Sequence, residues 1–412
     1  MRILLINPNV LKPPIAPVGL EYTAEQLIKK GYTVKLIDQI EQVDLKEEVI
    51  AFNPQLIGLQ IRNFDNTMFF NQQFYLDDIR EQIAELKGIS EAKIMVGGTA
   101  VNLMPEEVIN YVGADIAIAT KGFRAMEHLL SKLEKGEEVP KIIADLDDYV
   151  QGSFKRNLIN HSIYEKKGTM IGVATKFGCP FECTYCDYPA VDGKRTKLRE
   201  PSEVVDEIRN LVKKGTMNIF FVDANFNVPA WHAIKILKIL NEEQLRINWD
   251  AYLNPHPRMF TDEFFQELFK SGKKYVNLGV DSLDDATLRY LQKMFTVGDV
   301  KRATELCHKN GIKVNYNLLF GSPMEKRGNI LGSFRNIDML KPDRVDVCIG
   351  LRVYKKTPLY YQLLKEGKIT EKTDILKPYY VPIPEENIAL IQEEAAKRPN
   401  CFSQSIEQFM IQ

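Results

Sequence analysis

No run of eighteen apolar residues occurs anywhere in this 412-residue chain, so it offers no segment able to cross a bilayer as a helix. The opening Met1-Arg2-Ile3-Leu4-Leu5-Ile6-Asn7 imitates a signal peptide only until Pro8 and Asn9 end the apolar stretch, and it reads as a first buried strand. Neither sign of charge is in excess: 54 Lys and Arg face 55 Asp and Glu, which argues against a broad nonspecific nucleic-acid footprint. There is no GxGxxG and no Walker sequence, which leaves nucleotide-binding readings unsupported. Cysteine is scarce, at six, and no second CxxC pair lies near the one cysteine cluster to complete a tetrahedral zinc site. Of the five histidines, His128, His232 and His308 fall on helix-like segments that favour packing or surface roles, and His161 falls in a charged linker.

What is present is concentrated in Gly178-Cys179-Pro180-Phe181-Glu182-Cys183-Thr184-Tyr185-Cys186, which holds half of the cysteines. Three thiolates on one short loop can hold three corners of a [4Fe–4S] cube and leave the fourth iron without a protein ligand. An open iron suggests a place where a small molecule binds and reacts, whereas a structural zinc would need a fourth ligand. Cys307, Cys348 and Cys401 read as small hydrophobes rather than as a disulfide or a second cluster. The CxxxCxxC spacing with Tyr185 before the last cysteine resembles the radical S-adenosylmethionine superfamily. The resemblance implies that Cys179, Cys183 and Cys186 hold the cluster, that S-adenosylmethionine chelates the open iron, and that Tyr185 lies near its adenine.

Residues 1–145 alternate apolar strands, at 2–6, 33–37, 56–61, 93–96 and 116–119, with amphipathic helices, the first of which stops at Gly31. The economical fold is an α/β doubly wound parallel sheet, which binds ligands at the carboxyl ends of its strands. Those ends read Asn7-Pro8-Asn9, Gln60-Ile61-Arg62-Asn63, Gly97-Gly98-Thr99 and Thr120-Lys121-Gly122. Together with Pro17-Val18-Gly19-Leu20, Gly31-Tyr32-Thr33-Val34, Pro105-Glu106-Glu107 and Gly113-Ala114-Asp115, they resemble the cobalamin-binding domain fused in front of many radical S-adenosylmethionine enzymes. The resemblance implies a cobalamin site built from Asn9, Gln60, Arg62, Asn63, Gly97, Gly98, Thr99 and Gly122. Small residues there would let backbone approach a broad ring, and polar ones would meet its amide arms. The Asp-x-His-x-x-Gly motif is absent, so cobalt is expected without a protein histidine. Where relatives often carry Gly-Glu-Gly-Glu, this chain has Thr120-Lys121-Gly122-Phe123 and keeps only Gly122. Arg62 is expected either beneath the corrin or paired with Asp65 at the surface.

A charged linker at 146–167 is expected to pass over the surface. Between 168 and 370 six strand-like runs, at 170–175, 217–222, 247–252, 275–280, 312–320 and 345–351, alternate with helices and predict a six-unit partial (β/α) barrel. The cysteine loop follows the first strand, where barrel chemistry gathers, and the order matches the partial barrel of the resembled superfamily. The later strand ends are polar. By resemblance Asp223 and Asn225 lie where the methionyl amine is received, and Asp281 and Ser282 near the ribose. Asn317, Arg352, Tyr354 and His256 are further cavity candidates: Arg352 for a carboxylate, Tyr354 for hydrogen-atom transfer, His256 for acid–base work. The bland alternative is that these groups satisfy one another as a polar plug. Residues 371–412 form a short helical cap. From Lys377 onward it carries three basic and five acidic residues, unlike the nucleic-acid-binding tail of methylthio-transferring relatives.

The expectation is an enzyme that methylates an unactivated carbon of a small molecule, using a [4Fe–4S] cluster, S-adenosylmethionine and cobalamin. A non-methylating cyclisation or rearrangement, and a non-catalytic iron–sulfur carrier or sensor, are the alternatives. The reducing cytoplasm suits its thiols. A reductant such as flavodoxin or ferredoxin is expected as partner, with no membrane and no nucleic acid.

Overall fold

The computed structural model describes residues 1–120, 123–144, 149 and 151–403. The first sheet contains six parallel strands: β1 (Arg2–Asn7), β2 (Thr33–Asp38), β3 (Leu56–Gln60), β4 (Lys93–Gly97), β5 (Ile116–Ile118) and β6 (Ile142–Ile143). They lie in the order β2-β1-β3-β4-β5-β6, so β6 extends the expected five strands by one. The sheet is covered on both faces, which is why β1 and β3 read as nearly continuous buried runs instead of alternating. Strand order reverses between β1 and β3, and the crevice outside their carboxyl ends is where such a sheet binds ligands.

Beyond it come β7 (Ile171–Val173), a hairpin of β8 (Lys176–Phe177) with β9 (Lys197–Leu198), then β10 (Asn218–Phe221), β11 (Asn248–Leu253), β12 (Tyr275–Asp281), β13 (Lys313–Phe320) and β14 (Arg344–Ile349). Six of these, β7 and β10 to β14, form the expected partial barrel. A seventh strand, β15 (Cys401–Ser403), comes from the tail and pairs parallel with β14, so the cap is not purely helical: it also closes a sheet edge. Along β13 every second residue is fully buried against the outer helices and the others face a more open interior. Neighbouring strands are in step there, with Asn277 beside Asn315 and Asn317 beside Asp346.

The linker is not the surface crossing that its charge suggests. Phe154, Arg156, His161 and Tyr164 are buried, and the segment ends in a helix, His161–Lys166. Arg156 donates to Glu21 of the first domain's helix Val18–Lys29 at 2.8 Å and to Glu207 of the barrel helix Pro201–Val212 at 2.6 Å. Arg199 pairs with Glu207 at 2.8 Å, Tyr22 donates to Glu207, and His161 meets Glu21. Burial alone would raise the Glu21 carboxyl, but Arg156 and His161 outweigh it and hold the pKa below its ordinary value. The charges a surface linker would spend on water are spent here on the domain interface. Replacing Arg156 with Ala removes the cation shared by two buried carboxylates, leaving Glu21 with His161 and Glu207 with Arg199, and a loss of about 3–5 kcal/mol is expected, read as an earlier denaturant midpoint.

Candidate active site between the two sheets

The β8–β9 hairpin pinches off residues 178–196, so the cysteine loop is a closed excursion beyond the first barrel strand. Gly178 turns into it at φ 87°, where a Cβ would collide with the Arg195 carbonyl. Cys179 N–H donates to Gly193 O at 3.0 Å and Cys186 N–H to Cys183 O at 3.1 Å. Thr184, buried, donates to Leu291 O and Tyr290 O and accepts from Leu359 N, which fastens the middle of the loop to two later helices. None of the three thiols is in a disulfide. Burial raises all three, while the Lys293 cation pulls Cys179 and Cys183 back. Three sulfurs from one loop fit three corners of a [4Fe–4S] cube, whose irons carry the charge that takes buried thiols to thiolates.

Beside this loop a second arrangement forms at the end of β12. The strand slips register between Leu278 and Asp281, and Asp281 sits at φ 63°, a strained conformation for a non-glycine residue. One Asp281 oxygen accepts from Tyr185 OH at 2.5 Å and from Lys293 Nζ at 2.6 Å. Lys293 is nearly buried, and although burial opposes its charge, Asp281 and Cys183 raise its pKa. Sequence reasoning found Tyr185 and Asp281 and missed Lys293, which in Leu291-Gln292-Lys293-Met294 looks like any surface lysine.

Three expected ligand contacts are committed elsewhere. Asp223 accepts from Thr175 N, Thr175 Oγ1, Lys176 N and Lys176 Nζ at 2.6–3.2 Å, so its lone pairs go to holding the strand end and its buried lysine. Ser282 Oγ caps Asp284 N and touches Ser333, on the helix side of the sheet. Arg352 does bind a carboxylate, but it is that of Asp65, at 3.0 Å, and its remaining N–H groups go to Val353, Ile375, Leu376 and Tyr379 carbonyls. It is a clasp between domains. This also removes the Arg62–Asp65 pairing. His256 serves its own turn: Nδ1 accepts from Arg258 N at 3.1 Å. Asn225 is half-buried beside these groups. Asn317 remains in the barrel interior with Nδ2 buried and unpartnered among the described residues, next to open space above Gly279. Tyr354 lies 6.2 Å from the Phe64 ring with Arg352 over its face, and desolvation holds its hydroxyl well above the ordinary value.

The end of β13 carries a group the sequence reading passed over. Glu325, in Gly321-Ser322-Pro323-Met324-Glu325, folds back to accept from Gly321 N at 2.8 Å, and its other oxygen and Ser322 Oγ are buried without partners among the described residues. Burial pushes its pKa up to about 7.

In the first domain, a pocket opens at the β1/β3 switch point, lined by Asn9, Gln60, Arg62 and Asn63 among others. The Asn9 and Gln60 side-chain oxygens are buried there without partners among the described residues. Gly97 and Gly98 end the next strand. Gly98, at φ 115°, lies so close to Ile61 that a Cβ would stand 2.6 Å from its carbonyl oxygen, and Thr99 is exposed just beyond. The orphaned acceptors fit a ligand rimmed with hydrogen-bond donors, as cobalamin is. Gly122 lies outside the described residues. Arg62 is exposed to the cavity, yet desolvation by the surrounding protein lowers its pKa.

The two sites face one space. Tyr188, two residues past Cys186, is 38% exposed although enclosed by protein, and burial raises its hydroxyl. The Cys186 thiol raises it further and the Arg62 cation lowers it, so both lie within electrostatic reach. Behind Tyr188, Val191 packs into the first domain's core. Tyr252, 42% exposed on the inner face of β11 and pushed up to about 12 by burial and by Cys348, forms the barrel side of the same space. Sequence reasoning missed both tyrosines, since neither ends a strand in an unusual pattern.

A cysteine loop at a barrel mouth, facing a switch-point pocket of a second sheet, fits an iron–sulfur enzyme with a second cofactor beside the cluster. Residues 174–334 match the family model for the radical SAM superfamily and residues 6–130 the model for the B12 binding domain. The chain belongs to the cobalamin-binding radical S-adenosylmethionine enzymes, and its cofactors are the [4Fe–4S] cluster, S-adenosylmethionine and cobalamin. It is 23% identical to tryptophan 2-C-methyltransferase of Streptomyces laurentii, across 78% of this chain and 68% of that protein. To hopanoid C-3 methylase of Methylococcus capsulatus it is 23% identical, across 77% of this chain and 64% of that one. The structure of the radical S-adenosylmethionine methyltransferase TsrM of Kitasatospora setae, with tryptophan and a SAM analog bound, superposes with a TM-score of 0.87 at 22% identity, across 98% of this chain and 92% of TsrM. That likeness shows the fold.

Replacing Lys293 with Met leaves Asp281 uncompensated beside the cluster thiolates. The cluster's midpoint potential is expected to fall by about 60 mV, a tenfold change in the one-electron ratio, in a redox titration followed by electron paramagnetic resonance; an unchanged potential would remove Lys293 from the cluster's field. For Glu325 the folded pKa stands above the unfolded one, so the folded state holds more protons between pH 4.5 and about 7. Stability from this group is present below pH 4.5 and lost as pH rises toward 7, by at most about 1.4 kcal/mol per unit. Glu325→Gln is expected to flatten that slope in urea melts across the range.

Proposed function

We propose that this enzyme transfers a methyl group to an unactivated carbon of a small molecule. The observation that carries the reading is the common space around Tyr188, with the cysteine loop on one side and the switch-point cavity on the other. When bound, the cluster and S-adenosylmethionine supply a 5′-deoxyadenosyl radical, and cobalamin supplies the methyl group. Cys179, Cys183 and Cys186 hold the cluster, leaving the fourth iron open. Tyr185, fixed by Asp281, stands beside that open position near the adenine, with Asn225 toward the methionyl end. With cobalamin bound, Arg62 would face it as a cation that cannot ligate cobalt, and no carboxylate pairs with it among the described residues. Asn9, Gln60, Asn63, Gly97, Gly98 and Thr99 would hold the ring; Gly122, the remaining residue expected there, lies outside the described residues. The substrate would occupy the space bounded by Tyr252, Asn317 and open Gly279, and Tyr354, which packs beside Phe64 and Arg352, is the residue proposed to pass a hydrogen atom.

Two relatives named above, a tryptophan 2-C-methyltransferase and a hopanoid C-3 methylase, support methyl transfer to carbon. The proposed division is 1–145, 146–167, 168–370 and 371–412, with the linker serving the interface and the last segment lending β15 to the barrel sheet. No helix among the described residues is long and apolar enough to cross a membrane. The enzyme works in the cytoplasm with a flavodoxin or ferredoxin as reductant.

The test is anaerobic turnover with methyl-labelled S-adenosylmethionine and candidate substrates. Labelled product together with 5′-deoxyadenosine is expected. Formation of 5′-deoxyadenosine with an unlabelled product would replace methylation by rearrangement, and formation of neither would leave an electron carrier or sensor. In the Co(II) form, electron paramagnetic resonance is expected to lack nitrogen superhyperfine splitting from a protein histidine.

A further inference from the structure

The loop after β1 contains a polar knot whose geometry fixes the orientation of one amide. Asn9, at φ 50°, donates through Nδ2 to Asp38 Oδ1 at 3.2 Å and to Tyr164 OH at 3.0 Å. The Tyr164 hydroxyl has one proton, which it gives to Asp38 Oδ2 at 2.5 Å, so toward Asn9 it can only accept. Asn7 Nδ2 donates to the same two groups, at 3.0 and 3.3 Å. Turning the Asn9 amide over would forfeit both bonds and set its oxygen against the Asp38 carboxylate. The usual ambiguity between amide oxygen and nitrogen is therefore removed by the network itself. Asn9 Oδ1 is left as an acceptor, buried and unpartnered among the described residues, in the residue that lines the switch-point cavity. Gln60 Oε1, from the end of β3, is in the same condition. Among the described residues no acidic side chain lines this cavity, and Arg62 is the one charged residue that does.

We infer that Asn9 Oδ1 is a dedicated acceptor for an N–H on the rim of the bound corrinoid, so that the pocket discriminates an amidated corrin from one whose facing arm is a carboxylate. The inference rests on the cobalamin reading above and goes beyond it to the chemical form of the cofactor. A primary amide brings two N–H donors to an acceptor that has none. A carboxylate in the same place sets lone pair against lone pair in a site with little water, and both groups lose their partners. Tyr164 is then a positioning residue. It comes from the segment leading into the barrel, and through Asp38 it dictates which atom of Asn9 faces the ligand.

The probes are hydroxocobalamin and its three monocarboxylic acids, in each of which one propionamide arm is hydrolysed. Each is bound to the anaerobically prepared full chain with its cluster assembled, and dissociation constants are read from the visible spectrum. Hydroxocobalamin is expected to bind, with at least one monoacid weaker by about tenfold or more. In Asn9→Gly, which keeps the left-handed backbone without the amide, that isomer's deficit is expected to vanish. Tyr164→Phe, which frees the amide to turn while retaining it, is expected to shrink the deficit, and serves where Asn9→Gly does not fold. Equal binding of all three monoacids, or a deficit unchanged in both variants, would overturn the inference while leaving the cobalamin reading intact. Failure to bind hydroxocobalamin at all would overturn the reading and the inference with it.

Discussion

Arg156 is the constraint on which the arrangement depends. Its guanidinium is fully buried between a carboxylate from the first sheet's leading helix and one from the barrel's first long helix. Taking these charges out of water is costly, and the cost is recovered only when both domains present their carboxylates together. The pair therefore does more to fix one relative placement of two sheets than to add stability as such. The Asp65–Arg352 clasp acts at the opposite end of the interface in the same way. With both in place, the carboxyl ends of the two sheets are held face to face, and Tyr188 spans the gap. Chemistry that needs two cofactors at a fixed separation depends on such a rigid frame.

Much of this was legible in the sequence, and the reasons differ from part to part. The cysteine spacing is local, so the loop that carries it could be read without knowing the fold. Strand positions followed from apolar period and turn residues, and the barrel order from their succession. The charged run at 146–167 misled because composition does not reveal pairing: Arg156 and His161 look solvated until Glu21 and Glu207 arrive from 135 residues before and 51 after. Asp223, Ser282 and Arg352 were correctly read as polar groups at barrel ends. Their duties nonetheless depend on Thr175, Ser333 and Asp65, partners that a period of two cannot supply. Lys293 is the converse case, a residue made important only by the strained turn at Asp281.

The polar interior divides into two layers. Near the amino ends of the strands, Asp250 is held by Lys273, Tyr275 and Asn277, and Asp346 by Asn315 and Arg344. These groups answer one another and form a floor, as the plug alternative requires. Above them Tyr252, Gly279 and Asn317 surround open space, and the plug account fails there. A single barrel thus has both a sealed end and a receptive one, and the change occurs within two residues along each strand.

The seventh strand gives the polypeptide an order of assembly. β14 keeps a bare edge until residues 401–403 arrive, more than fifty positions after the strand they cover. During synthesis the cysteine loop emerges more than two hundred residues earlier, so the barrel stays open on one side while its thiols are already exposed. An exposed parallel edge is also a template for pairing between chains, so a nascent chain stalled short of that strand is the species most prone to aggregate.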